Sequence, residues 1–143
     1  MKRKDGILYN GLGFPVFIIG AKTYEFRGEK LPKLDHNKLT DIVFRALMES
    51  RWRLTGNQLN FIRGHLGLSQ KMLADRLGFE SHATISGWLK KQNKACGMNP
   101  ATELAVRMLM AHHIDSFDVV NENAPAILSQ IEDAQPEVAV AAA

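Results

Sequence analysis

Hydrophobic and polar positions along this chain follow two different periods. Near the start, GFPVFIIG (13–20) and KTYEFRG (22–28) are rich in β-branched and aromatic residues and punctuated by glycine. In the second, Thr23 and Glu25 alternate with Tyr24 and Phe26, the period of two that marks a strand with one covered face. The two runs predict a small β-hairpin. Such a hairpin is marginal alone, so it must lean on the chain's own helices or on a second copy. Residues 1–10 read as a polar, basic, frayed lead, and GEKLPKLDHNK (28–38) as a linker in which Pro32 stops any regular ladder.

From Asp35 the period changes to that of a helix. Leu39, Ile42, Val43, Ala46 and Leu47 share one face, with Asp35 as N-cap. Thr55 and Gln58 form a T-x-x-Q capping box for a second helix lined by Leu59, Ile62 and Leu66, with Phe61 beside them and Gly67 as its stop. Ser69 caps a third, with Met72, Leu73 and Leu77 inward and Gly78 at its end. A short helix follows with Ile85, Trp88 and Leu89 inward. After a loop, Asn99 caps and Pro100 opens a helix whose apolar face is Leu104, Ala105, Met108 and Leu109. One more short helix is expected within 121–134, and disorder over 135–143. The pattern therefore predicts a mainly α chain behind a small hairpin.

The two helices on either side of Gly78 carry a further signal. Helices of about two turns joined by a tight turn cross steeply, and a small residue must sit where their backbones approach. Ala74 supplies it, Gly78 lets the chain reverse, and Ile85 plugs the crossing. The second helix is then presented outward through His82, Ala83, Ser86 and Gly87, with Lys90 and Lys91 after them.

These residues carry a resemblance. LTGNQLNFIRGHLGLSQKMLADRLG and TISGWLK resemble the Xre, or lambda-repressor-like, helix-turn-helix family, most recognisably in LGLSQ and LADRLG. The resemblance covers roughly 54–114. It implies a five-helix domain that binds operator DNA as a dimer. By the same resemblance His82, Ala83, Thr84, Ser86 and Gly87 would face the bases. Gln70 would touch a phosphate and brace the recognition helix, and Lys71, Thr55, Asn57, Lys90, Lys91 and Lys94 would hold further phosphates. Arg63 matches a position that commonly makes a structural ion pair. Two departures stand out. GFESHATI is one residue longer than the usual turn, which leaves the recognition register open by one. Ala83 and Gly87 offer no side-chain hydrogen bonds, so readout would rest on His82, Thr84, Ser86, a methyl contact from Ala83 or DNA shape. The front of the chain is similar, through YEFRGEK, to antitoxins of the MqsA type. Those carry CxxC zinc ligands there, and this chain has no cysteine before Cys96.

Composition narrows the remaining classes. The 143 residues have a net charge of +3, but six acids and no Lys or Arg lie from Asp115 onward, so the body holds 18 basic against nine acidic residues. A basic body with an acidic tail suits a polyanionic partner, and a solvated basic surface is the plain alternative. One cysteine excludes an internal disulfide and suggests a reducing compartment, read as the cytoplasm. No run reaches the roughly 20 apolar residues of a membrane span, and MKRKDG is not followed by a signal-type core. Cys96, His112 and His113 match no zinc spacing, and the glycines of GLGFPVFIIG form no nucleotide loop. No cofactor, metal or enzymatic activity is expected.

The sequence thus predicts three parts: a hairpin-plus-helix module (1–53) for dimerisation or a partner, a helix-turn-helix domain (54–114), and an acidic, partly disordered tail (115–143). The expected function is a DNA-binding transcriptional repressor working as a homodimer on double-stranded operator DNA. An antitoxin role with a cognate toxin is the favoured refinement, and a protein-interaction module using the helix-turn-helix as scaffold is the alternative.

Overall fold

The structure is a computed structural model that describes residues 6–130 and 132–141. In chain order its elements are β1 (Gly6–Tyr9), β2 (Val16–Ile19), β3 (Thr23–Phe26), β4 (Glu29–Pro32), α1 (His36–Met48), α2 (Gly56–His65), α3 (Gln70–Leu77), α4 (Ala83–Leu89), α5 (Pro100–Ile114), α6 (Asp118–Leu128) and β5 (Val138–Ala141). The expected mainly α architecture, a five-helix domain behind one hairpin, is overturned. Among the described residues six helices share the fold with five strands in two sheets, an α/β arrangement.

The strands pair differently from the hairpin read in the sequence. β2 does not pair with β3. It is the central strand of a sheet ordered β1-β2-β5, antiparallel to β1 and parallel to β5, while β3 pairs with β4. β2 can occupy a centre because VFII is apolar on both faces: Val16 and Ile18 are fully buried and Phe17 nearly so. β1 forms within a stretch read as frayed, and β5 within one read as disordered. In β5, Val138 and Val140 are buried and alternate with exposed Ala139 and Ala141, so the strand gains about 1.5–3 kcal/mol per buried valine when it docks. The parts of those two expectations that fall on residues 1–5, 142 and 143 lie outside the described residues. The segment read as a linker holds β4. Arg27 and Gly28 have φ of 51° and 81°, the two left-handed residues of a turn whose twist matches a tight hairpin. Pro32 sits at the end of β4, opposite Thr23, where a missing donor costs little.

Four helices, α1, α2, α3 and α5, start where their caps predict, whereas α6, expected within 121–134, starts earlier, at Asp118, without a side-chain cap. Asp35 accepts from the Asn37 and Lys38 amides, Thr55 and Gln58 form the reciprocal box, and Ser69 and Asn99 cap α3 and α5. Two faces are rotated from expectation. In α1 the buried set is Leu39, Val43, Phe44, Leu47 and Met48, which leaves Ile42 and Ala46 on a half-covered flank. In α5 Thr102, Glu103, Val106, Arg107, Met110 and Ala111 are buried, and Met108 is exposed. The acidic tail is largely ordered, with Val120 and Ile127 of α6 buried and the Asn123 side chain donating to the Glu49 carbonyl at 2.8 Å. One hydrophobic cluster runs from Phe14, Val16 and Ile18 through Leu47, Leu59, Ile85 and Met110 to Val138 and Val140.

Candidate nucleic-acid interface

A buried charge pair anchors the segment that leads to α2. Arg107 is fully buried and meets Glu103 at 3.0 Å. It also donates to the Ser50 carbonyl and hydroxyl, each at 3.0 Å, and to the Trp52 carbonyl. The Glu103 oxygens accept the Leu54 amide at 3.2 Å. Burial pushes the Glu103 carboxyl up and the Arg107 guanidinium down, each opposed by the charge of the other. The pair thereby ties α5 to residues 50–54, the segment that delivers the chain to the start of α2. Polar residues inside a helix face are the signal that sequence periodicity reads as outward, so this pair was missed.

The start of α2 in turn fixes α4. Gly56 lies so close to the end of α4 that a Cβ there would meet the carbonyl oxygens of Trp88 and Leu89 at 2.6 and 2.8 Å. The first amides of α2 are satisfied from the loop after α4: Gly56 donates to the Lys94 carbonyl at 3.2 Å and Asn57 to the Gln92 carbonyl at 2.9 Å. The Cys96 amide returns to the Leu54 carbonyl at 3.0 Å. On the other side Ala74 and Ile85 are buried between α3 and α4, and Gly78 has φ 82°. Phe79 meets Trp88 edge to face at 5.3 Å. α4 is therefore held from two sides with one face left open.

α4 begins at Ala83, with His82 at its N-cap position. His82, Ala83, Thr84 and Gly87 are exposed and Ser86 half-buried. Nothing lies within 4 Å of a Cβ added at Gly87. Lys90, Lys91 and Lys94 are exposed just beyond, and no acid occurs from 82 to 94. The Asn57 side chain donates to Asn93 at 3.1 Å and so joins the same patch. Gln70 opens α3, half-buried, and Lys71 is exposed but spends part of its charge on Asp75 at 3.5 Å. Thr55 is not brought to the surface: it is fully buried and its hydroxyl oxygen accepts the Gln58 amide. Arg63 departs from the ion pair expected of it, donating to the Leu68 carbonyl at 2.9 Å and to Asn60 at 2.7 Å. Met72, read as core, is exposed.

The other candidate chemistry falls elsewhere. Cys96 is buried, and burial aided by the Glu103 charge pushes its thiol up to about 12 against the pull of Arg53. His65 stacks on Phe44 at 4.2 Å, lies 5.7 Å from His113 between ring centres and faces Asp41 at 3.5 Å. His112 is exposed. Among the described residues no three His, Cys, Asp or Glu side chains gather to hold a metal, and no helix is long and apolar enough to cross a membrane. No protein-family model, curated protein or solved structure matches the chain.

Proposed function

We propose that this chain binds duplex DNA through α3 and α4 and acts as a transcriptional repressor. The observation that carries this reading is the open face of α4. Ile85 and Gly56 pin the helix from behind. Its outward residues are small or polar, and the acid-free stretch ends in three exposed lysines. Small side chains at Ala83 and Gly87 let the helix backbone approach a groove closely. Thr84, Ser86 and His82 supply the polar contacts, and sequence preference draws also on DNA shape. Lys90, Lys91 and Lys94, with Asn57 beside them, meet phosphates, where each neutralised phosphate contributes about −0.9 to the salt slope. In this reading the protein works in the cytoplasm.

The hairpin of β3 and β4 supports a second element of the proposal. Tyr24 and Phe26 are 49% and 54% exposed, more aromatic surface than an isolated hairpin needs. This is where a protein partner would dock, in the antitoxin reading a cognate toxin, with the DNA-binding face repressing the operon of the pair. The missing donors at Ala83 and Gly87 favour the alternative, a protein-interaction module that uses the helix-turn-helix as scaffold.

Fluorescence anisotropy against the DNA upstream of the chain's own gene, beside a scrambled duplex and at two salt concentrations, separates the two. Tight, sequence-preferring and salt-dependent binding is the expected result. Weak and equal binding to both duplexes would overturn the repressor reading in favour of the scaffold.

A further inference from the structure

β5 is an edge strand. Its ladder to β2 occupies one side, and among the described residues no strand pairs with the other. Val138 donates its amide to the Pro15 carbonyl at 3.1 Å. By the period of two, Val140 turns the same way, so Ala139 and Ala141 point their amides and carbonyls out along the free edge. This edge borders a groove of about 420 Å³ between β5 and the half-covered flank of α1, lined by Ile42, Arg45, Ala46, Glu49 and the Ala139–Ala141 segment. The strand VAVA carries no charge, proline or bulge, the devices that normally keep an open edge from pairing.

We propose that this edge is a dimer interface, in which β5 pairs antiparallel with β5 of a second copy to make one continuous six-stranded sheet. Three features favour a second copy over a foreign strand. An antiparallel pair of identical strands is self-complementary about a two-fold axis and leaves neither β5 edge open. Between the charged side chains of Asp41, Arg45 and Glu49, the apolar part of the groove is Ile42, Ala46 and the Ala139–Ala141 segment, which suits the small residues of β5 itself. The same two-fold runs the two α1 helices antiparallel on one face of the joined sheet. Asp41, Arg45 and Glu49 alternate in sign at a spacing of four along that flank. An offset of one turn therefore sets Arg45 against an acid of the second copy. This pairing stands on the sheet edge and does not depend on DNA binding.

Sedimentation equilibrium of the full chain tests it, with Ala139→Pro as the first variant. Proline removes an amide that faces the free edge and leaves the ladder to β2 its donors. The wild type is expected at twice its 16.0 kDa chain mass, and the variant at the chain mass with its circular dichroism retained. Arg45→Glu is expected to raise the dimer dissociation constant at least tenfold, and reversing Asp41 and Glu49 to lysine in the same chain to restore it. The charge variants decide the matter if Ala139→Pro does not fold. A wild type that stays monomeric at every concentration overturns the pairing, whether or not another protein's strand takes the edge. A dimer indifferent to both Ala139→Pro and Arg45→Glu overturns it too.

Discussion

Gly56 and Trp88 meet backbone to backbone: a Cβ on Gly56 would lie 2.6 Å from the Trp88 carbonyl oxygen, and the Leu89 carbonyl and Gln92 amide crowd it at 2.8 Å. None of these atoms can rotate away as a side-chain tip could. Gly56→Ala must therefore push the end of α4 off the start of α2. The expected cost is about 1–3 kcal/mol, the range for overpacking, read as a lower urea midpoint. If α4 is the DNA-reading helix, the folded variant should also lose affinity for DNA out of proportion to its stability.

Removing Arg107 strands Glu103 in the core and frees the Ser50 and Trp52 carbonyls. Arg107→Met should cost about 3–5 kcal/mol, as for one partner of a buried pair. Adding Glu103→Leu should recover part of this loss, since no uncompensated carboxylate remains. A double-mutant cycle by urea denaturation measures both terms.

His65 is held below its ordinary value of 6.5, mainly by burial, with His113 adding to the depression and Asp41 opposing it. The folded chain resists a proton that the unfolded chain accepts. Stability from this source is complete above 6.5 and is lost as pH falls from there toward the lowered native value. His65→Phe keeps the stack on Phe44 and removes the titration. Thermal melts from about pH 7 to about pH 5.5 should show a steeper fall in Tm for the wild type than for the variant.

If the chain binds DNA as proposed, Lys90→Ala and Lys91→Ala should each weaken all DNA sequences alike and reduce the magnitude of the salt slope by about 1. His82→Ala should instead change which sequence is preferred. Anisotropy titrations across a salt series distinguish these outcomes, and no effect from any of the three would count against the DNA-binding face.

Cys96 should resist thiol reagents in the native chain, because its thiol is buried and pushed up to about 12. Labelling at about pH 8, below even the unperturbed thiol value of about 8.5, should follow global unfolding and accelerate sharply across the urea transition.

The helices were legible because their signals are local. Asp35, Thr55, Ser69 and Asn99 each cap a helix within three residues of themselves, and Gly78 marks a stop by its own backbone. The Ala74, Gly78 and Ile85 arrangement was readable for the same reason. The sheet was not, because its pairings are remote. Val138 and Val140 alternate with alanines in a run of only four, and nothing nearby reveals that Val16 and Ile18 are their neighbours. The face of α5 was misread because Glu103 and Arg107 look solvent-facing until each is seen to satisfy the other. Thr55 was offered to DNA because a capping hydroxyl and a phosphate ligand are the same residue in sequence, and only burial separates them.

The register of Val16 with Val138 also has a kinetic consequence. Among the described elements the central strand of the main sheet precedes every helix, and its parallel neighbour follows every helix. Local helices such as α2, α3 and α4 can form as soon as their own residues are available, but closing the sheet demands contact across nearly the whole described chain, a slow step by topology alone. Until it closes, β2, whose side chains are all apolar, leaves its backbone N–H and C=O groups unpaired along the edge where β5 belongs. Refolding of this chain therefore has one vulnerable interval, set by the docking of β5.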